Sequence, residues 1–242
     1  MFRSLLLVAA VQFAAAPPPT QTVWIIGWDD TTSVGGSAFS EYADAVRATV
    51  LPLVRPSDTL VLVRLLRTRE DDRTDREPDT VILDSRPSRF TTQVRGFYQK
   101  LAREQQVRGS HTTDIGRALR HLRASIDLDG EAHNPPRSYV LVVVSDGRAE
   151  GPQTVGPDRQ PPVGDVDYRI VFLGVNRGPA VEATLHKMTV REGFERRDRE
   201  LIVPLTHLRQ MAGAIPGFVG RTVDATLARR LDQAVGRPPV KK

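Results

Sequence analysis

Strongly apolar strands alternating with amphipathic helices predict an α/β chain: a mostly parallel central sheet covered by helices on both faces. Three observations carry this prediction. VWIIGW (23–28) and SYVLVVVSDG (138–147) hold unbroken apolar runs of strand length, rich in β-branched residues, as strands buried on both faces do. Between and after them, apolar residues recur at helical spacing. With 242 residues, 40% of them apolar and 26% charged, the chain can bury one sizeable core.

The elements follow in order. After VWIIGW, the stretch SAFSEYADAVRATVLPLV (37–54) places Phe39, Tyr42, Ala43, Val46, Val50 and Val54 on one helical face, with Ser37 or Ser40 as cap. A turn at Pro56 to Asp58 leads to a second strand, Leu60 to Leu66, so the opening pattern is strand, helix, strand. The almost wholly charged 67–79 predicts a solvated loop, and TVILDS (80–85) a third strand. Helices are expected from Thr91 to Gln105, through Val94, Phe97, Tyr98 and Leu101, and over DIGRALRHLRASI, through Ile115, Leu119 and Leu122. The strand 138–147 is the most apolar of all; a Pro/Gly-rich loop (151–164) separates it from a fifth strand, 168–176. Residues 177–200 carry no strong period and read as an excursion. THLRQMAGA (206–214) reads as a helix, FVGRT (218–222) as a short edge strand, and VDATLARRLDQAV as a closing helix.

Residues 1–20 stand apart. Arg3 gives a positive start, Leu5 to Ala16 an apolar core, Ala14 to Ala16 the small residues a signal peptidase accepts, and PPP (17–19) a spacer. The apolar run is shorter than the ~20 residues of a spanning helix. A signal peptide and spacer over 1–20, a single domain over 21–242 and a secreted or periplasmic location are therefore expected, with membrane contact only through an uncut N-terminal segment. Zero cysteines exclude disulfides, thiolate metal sites and a cysteine nucleophile. The formal charge is +5, but arginines are interleaved with acids and aromatics are 6%, so no basic, base-stacking surface for nucleic acid is expected.

VWIIGWDDTTSV raises the functional question, because a buried strand stops on two carboxylates and three hydroxyls with no lysine or arginine. In open α/β sheets ligands sit beyond the carboxyl ends of the strands. Two apolar strands end in acids, Asp29 and Asp146, which would meet if those strands are neighbours. Asp29, Thr31 and Ser33 recur every second residue and so share a side. Hard oxygen donors gathered this way suit a hard cation such as Mg²⁺.

The D-x-T-x-S run (Asp29, Thr31, Ser33), HTTDIGRAL carrying Thr113, and VLVVVSDG carrying Asp146 together resemble the von Willebrand factor type A domain and its metal-ion-dependent adhesion site. The resemblance runs from about Val23 to Asn176. It implies a Rossmann-like, doubly wound sheet ordered 3-2-1-4-5-6, with the strands ending in Asp29 and Asp146 side by side. It also implies Mg²⁺ (or Mn²⁺ or Ca²⁺) held by Asp29, Thr31, Ser33, Thr113 and Asp146, with an open position for an acidic side chain of a partner protein. Thr113 fits the family spacing better than Thr112. Thr31 stands where the family usually has Ser, and Asp30 where it has a small residue.

The plainer readings are a strand-end turn capped by Asp29, a helix start capped by Thr113, and a metal-independent scaffold of the same fold. Phosphoryl transfer at Asp29 is a further alternative, but a D-x-D-x-T phosphatase needs an acid at Thr31 and a phosphate-steadying lysine, and the lysines are Lys100, Lys187, Lys241 and Lys242. A receiver-like site could use Asp84, yet Asn176 and Arg177 stand where its lysine belongs. The five histidines lack ligand spacing. The expectation is a non-enzymatic binding protein.

Overall fold

The computed structural model describes residues 21–29, 36–67, 79–103, 112–130, 137–147, 159–175, 178–204 and 213–235. The main sheet contains β1 (Thr22–Trp28), β2 (Thr59–Arg64), β4 (Asp79–Ile82), β6 (Ser138–Val144), β7 (Tyr168–Leu173) and β8 (Glu200–Val203), in the order β4-β2-β1-β6-β7-β8. Ranked along the chain this is 3-2-1-4-5-6, and every pairing is parallel except β2 with β4. β1 and β6 are neighbours at the point where strand order reverses, as the resemblance implied.

Alternation along the central strands divides the core in two. Trp24, Ile26, Trp28, Leu60, Leu62, Val140, Val142 and Val144 face one side, under α1 (Gly36–Thr49), α2 (Pro87–Arg103) and α6 (Ala225–Val235). Val23, Ile25, Val61, Val63, Leu141 and Val143 face the other, under α3 (Ile115–Gly130) and α4 (Pro179–Arg191). Gly27 lets α3 lie close: a Cβ there would stand 2.9 Å from the Ala118 Cβ and 3.3 Å from Leu65 Cδ2.

Several expectations need correction. Residues 177–200 are not an excursion, since they hold α4, a 3₁₀ turn at Arg197–Arg199 and the start of β8. α4 buries only Leu185 and Thr189, so it lacks the apolar stripe that makes a helix legible. FVGRT is not an edge strand. Its Phe218 and Val219 end α5 (Ala214–Val219), and Gly220, at φ 66°, caps that helix in the left-handed region, with its N–H to the carbonyls of Pro216 and Gly217. The edge is β8. The first helix ends at Thr49, and Leu51–Leu53 form a 3₁₀ turn that Pro52 permits. The charged loop expected over 67–79 is bounded by strands: Leu66–Arg67 (β3) pairs antiparallel with Thr112–Thr113 (β5), and β4 begins at Asp79. The helix expected over 206–214 falls largely outside the described residues, as do 1–20. Among the described residues no helix is long and apolar enough to cross a membrane.

At the amino ends of the strands a buried carboxylate is satisfied by N–H donors. Asp58 accepts the Thr22 amide at 3.0 Å, the Trp24 indole N–H at 3.0 Å and the Arg55 amide at 2.9 Å, and Arg221 approaches to 3.4 Å. This end is closed by nitrogen donors and a guanidinium, which fixes a carboxylate without leaving it lone pairs for a ligand.

Candidate functional site

The carboxyl ends of β1 and β6 are built differently. The parallel register sets Trp28 opposite Val144, and the Asp29 amide donates to the Val144 carbonyl at 3.0 Å, so Asp29 lies level with Ser145. Asp29 is fully buried. Following the alternation of β1, its side chain points to the α3 face, where the Ser145 hydroxyl donates to Oδ2 at 2.7 Å and the Thr113 hydroxyl lies 3.2 and 3.3 Å from the two oxygens.

Thr113 is held by backbone from a third segment. Leu66 pairs with Thr113 and Arg67 with Thr112; the Asp114 amide donates to the Leu65 carbonyl at 2.8 Å, and the Leu65 amide to the Trp28 carbonyl at 2.9 Å. The two-residue ribbon thus ties the start of α3 to the ends of β2 and β1. Of this ribbon the sequence predicts Leu66 as the end of the second strand, Arg67 as the start of a solvated loop and Thr112–Thr113 as part of a polar turn, because a two-residue pairing leaves no periodicity to detect. Thr113 is not the helix cap. Asp114 is, accepting the Arg117 amide at 3.1 Å while pairing with Arg120 at 3.0 Å.

The sequence-predicted site residues divide as follows. Asp29 and Thr113 are brought into contact. Asp146 follows Ser145 by one residue, just past the end of β6, and is partly exposed. Thr31 and Ser33, with Asp30, lie outside the described residues. Ser145 is not among the residues that the sequence motifs single out for the site, although a hydroxyl just before a strand-end acid is a signal for it. Asp84, the receiver-like alternative, sits at the opposite pole, because β4 runs antiparallel with Ile82 beside Thr59, and Arg86 grips its carboxylate at 2.6 Å.

Electrostatics mark the same place. The Tyr42 phenol is pushed well above its ordinary range, first by burial, then by the charges of Asp146 and Asp29. The Asp29 carboxylate accepts from hydroxyl oxygens, which keep lone pairs of their own. Unlike the amide and guanidinium donors at Asp58, those oxygens can turn to a cation. Asp29, Thr113 and Ser145 are hard donors converging from three segments, and this set fits a hard divalent ion that retains waters. Among the described residues no group of three or more His, Asp or Glu side chains could hold a metal ion.

No family model matches the chain, and no curated protein matches it in sequence. Solved structures do. Proximal thread matrix protein 1 from the mussel byssus aligns over 82% of this chain and 48% of its own, with a TM-score of 0.50 and 13% identity. The chain therefore spans about half the length of that protein. A form of the mussel protein with zinc occupying its MIDAS motif aligns over 82% of this chain and 48% of its own, at a TM-score of 0.47 and 15% identity. An aerotolerance-related membrane protein from Bacteroides fragilis aligns over 83% of this chain and 98% of its own, at 0.48 and 12%. At such identities the likeness is one of fold, the von Willebrand factor A type that the sequence motifs resemble.

Proposed function

We propose that the chain is an exported binding protein that captures a protein partner through a divalent cation at the carboxyl ends of β1 and β6, and that it acts by binding rather than by catalysis. One observation carries the reading: a fully buried Asp29 carboxylate meets the hydroxyls of Thr113 and Ser145 at 3.2 and 2.7 Å. Asp29, Thr113 and Asp146 would hold the ion together with Thr31 and Ser33 of the D-x-T-x-S run. Mg²⁺, Mn²⁺ and Ca²⁺ all suit oxygen donors. Bound there, the ion would supply an electrophilic position for an acidic side chain of the partner.

The protein's own contribution is preorganisation. Burial of Asp29 and its hydroxyl bonds fix the carboxylate before any ligand arrives, and residues around the pole supply specificity. Export is supported by the composition of residues 1–20.

The test is calorimetric titration of the folded protein with Mg²⁺. Asp29→Ala is expected to abolish uptake while the chain still folds; undiminished uptake by that variant refutes the reading. Capture of a partner that persists in a chelator would instead mark a metal-independent scaffold.

A further inference from the structure

The turn that carries Asp146 is fastened to Asp29 through one hydroxyl. Ser145 is fully buried, and its amide donates to the Leu173 carbonyl at 3.1 Å, which ties its backbone to the end of β7. Its hydroxyl donates to Asp29 Oδ2 at 2.7 Å and accepts the Gly147 amide at 3.1 Å. A serine hydroxyl carries one proton and two lone pairs, so the proton is committed to Asp29 and one lone pair to the turn. Asp146 is the residue between the two that this second bond joins. Its backbone is therefore closed into a small ring, from Ser145 Oγ to the Gly147 amide, and the ring is anchored on the Asp29 carboxylate. Gly147 holds the other side. It has φ 78°, and a Cβ there would stand 2.7 Å from Val175 Cγ1 and 3.2 Å from Val181 Cγ1, so a glycine lets the turn lie against the residue after β7 and the start of α4.

We propose that Ser145 is a positioning residue of the candidate cation site: its hydroxyl, bonded at once to the Asp29 carboxylate and the Gly147 amide, sets the Asp146 turn against the end of β1. The inference rests on the reading above and deepens it. A hydroxyl suits this task because it joins an acceptor to a donor and stays neutral. An arginine or lysine there would compete with the cation for the charge of Asp29. Two motifs 116 residues apart are then held in one arrangement by a single side chain. Coupling follows. An opening of the turn that breaks the Gly147 bond also loosens the hold on Asp29, and an ion gripped by both acids opposes that opening.

The experiment titrates Mg²⁺ calorimetrically into wild type, Ser145→Ala, Thr49→Val and Asp29→Ala, with denaturant unfolding and amide hydrogen exchange at Gly147 followed in parallel. Ser145→Ala is expected to weaken Mg²⁺ binding about tenfold, the lower end of what loss of an outer partner of a metal ligand costs, and to speed exchange at Gly147 about tenfold or more. Thr49→Val removes another buried hydroxyl, bonded at 2.8 Å to the Ala45 carbonyl at the far end of α1, and should match wild type in both readouts. In wild type, Mg²⁺ at about a hundred times its dissociation constant should slow Gly147 exchange roughly a hundredfold. That measurement decides by itself if Ser145→Ala does not fold, and exchange indifferent to bound Mg²⁺ overturns the inference. Wild-type affinity in Ser145→Ala, or a Gly147 amide as protected there as in wild type, with Asp29→Ala taking up no ion, overturns this inference alone. A wild type that takes up no Mg²⁺ overturns the functional reading and this inference with it. Equal weakening in Thr49→Val overturns the positioning role in favour of general destabilisation.

Discussion

Gly27→Ala tests the link between packing and the site most directly. The added methyl would meet the Ala118 Cβ at 2.9 Å and Leu65 Cδ2 at 3.3 Å, where ordinary contact begins at 3.4 Å. Leu65 can turn aside, but Ala118 Cβ is one bond from the α3 backbone, so relief requires the helix to retreat by roughly 0.5–1 Å. Overpacking of this kind costs about 1–3 kcal/mol. For a chain of this size that lowers the melting temperature by roughly 2–12 °C.

The same retreat carries Thr113, two residues before α3. Its hydroxyl, already 3.2 and 3.3 Å from Asp29, would pass the ~3.5 Å limit of a hydrogen bond. Mg²⁺ affinity should therefore fall along with stability. Adding Ala118→Gly removes the clashing methyl. That change alone costs about 1 kcal/mol as a helix-interior glycine, so the decisive quantity is the coupling in the double-mutant cycle, measured by denaturant unfolding. We expect the double variant to be at least about 1 kcal/mol more stable than the sum of the single changes predicts. Additivity within ~0.5 kcal/mol, or a Gly27→Ala protein that melts and binds Mg²⁺ like wild type, would show that the close approach of β1 to α3 does not govern the site.

Two further outcomes follow from the same geometry. Ser145→Ala removes the 2.7 Å hydrogen bond to a buried carboxylate and should cost about 1.5–3 kcal/mol in chemical denaturation, with weaker Mg²⁺ uptake; a neutral result would deny Ser145 its place beside Asp29. Glu192 is buried at the end of α4 and holds its proton more tightly than an ordinary carboxyl, through desolvation first, against the opposing charges of Arg120 and Arg191. The folded chain then binds more protons than the unfolded one above the ordinary value of 4.5. The stability contributed by Glu192 is therefore full below that value and is lost as pH rises through the raised one. Glu192→Gln should abolish this decline above the ordinary carboxyl range in melting profiles, whereas parallel profiles for the two proteins would refute the assignment.

Local patterning carried the elements that bury a continuous face. VWIIGW, LVLV and SYVLVVV lie in buried strands as their composition predicts, and α1, α2, α3 and α6 present the spaced apolar residues that seat them. It failed where burial is sparse or the element is brief: α4 with two buried residues, the β3–β5 ribbon with two residues a side, and FVGRT, where Gly220 ends a helix rather than bending a strand. The site shows the same boundary. Acids at the end of an apolar strand point to Asp29, and the motif spacing prefers Thr113 to Thr112. Ser145 is signalled only by a hydroxyl standing just before a strand-end acid, which does not tell that it turns to Asp29.

The chain order of apolar and polar residues by itself decided that there is a mostly parallel sheet, that amphipathic helices cover it, and that acids stand at the carboxyl ends of two strands. Only the tertiary structure decided that Asp29 receives the hydroxyls of Thr113, 84 residues away, and Ser145, 116 away. Periodicity records which side of its own element a residue buries. Meeting across such separations depends on strand order, register and a glycine that lets a helix approach, and these are fixed only when the whole core packs.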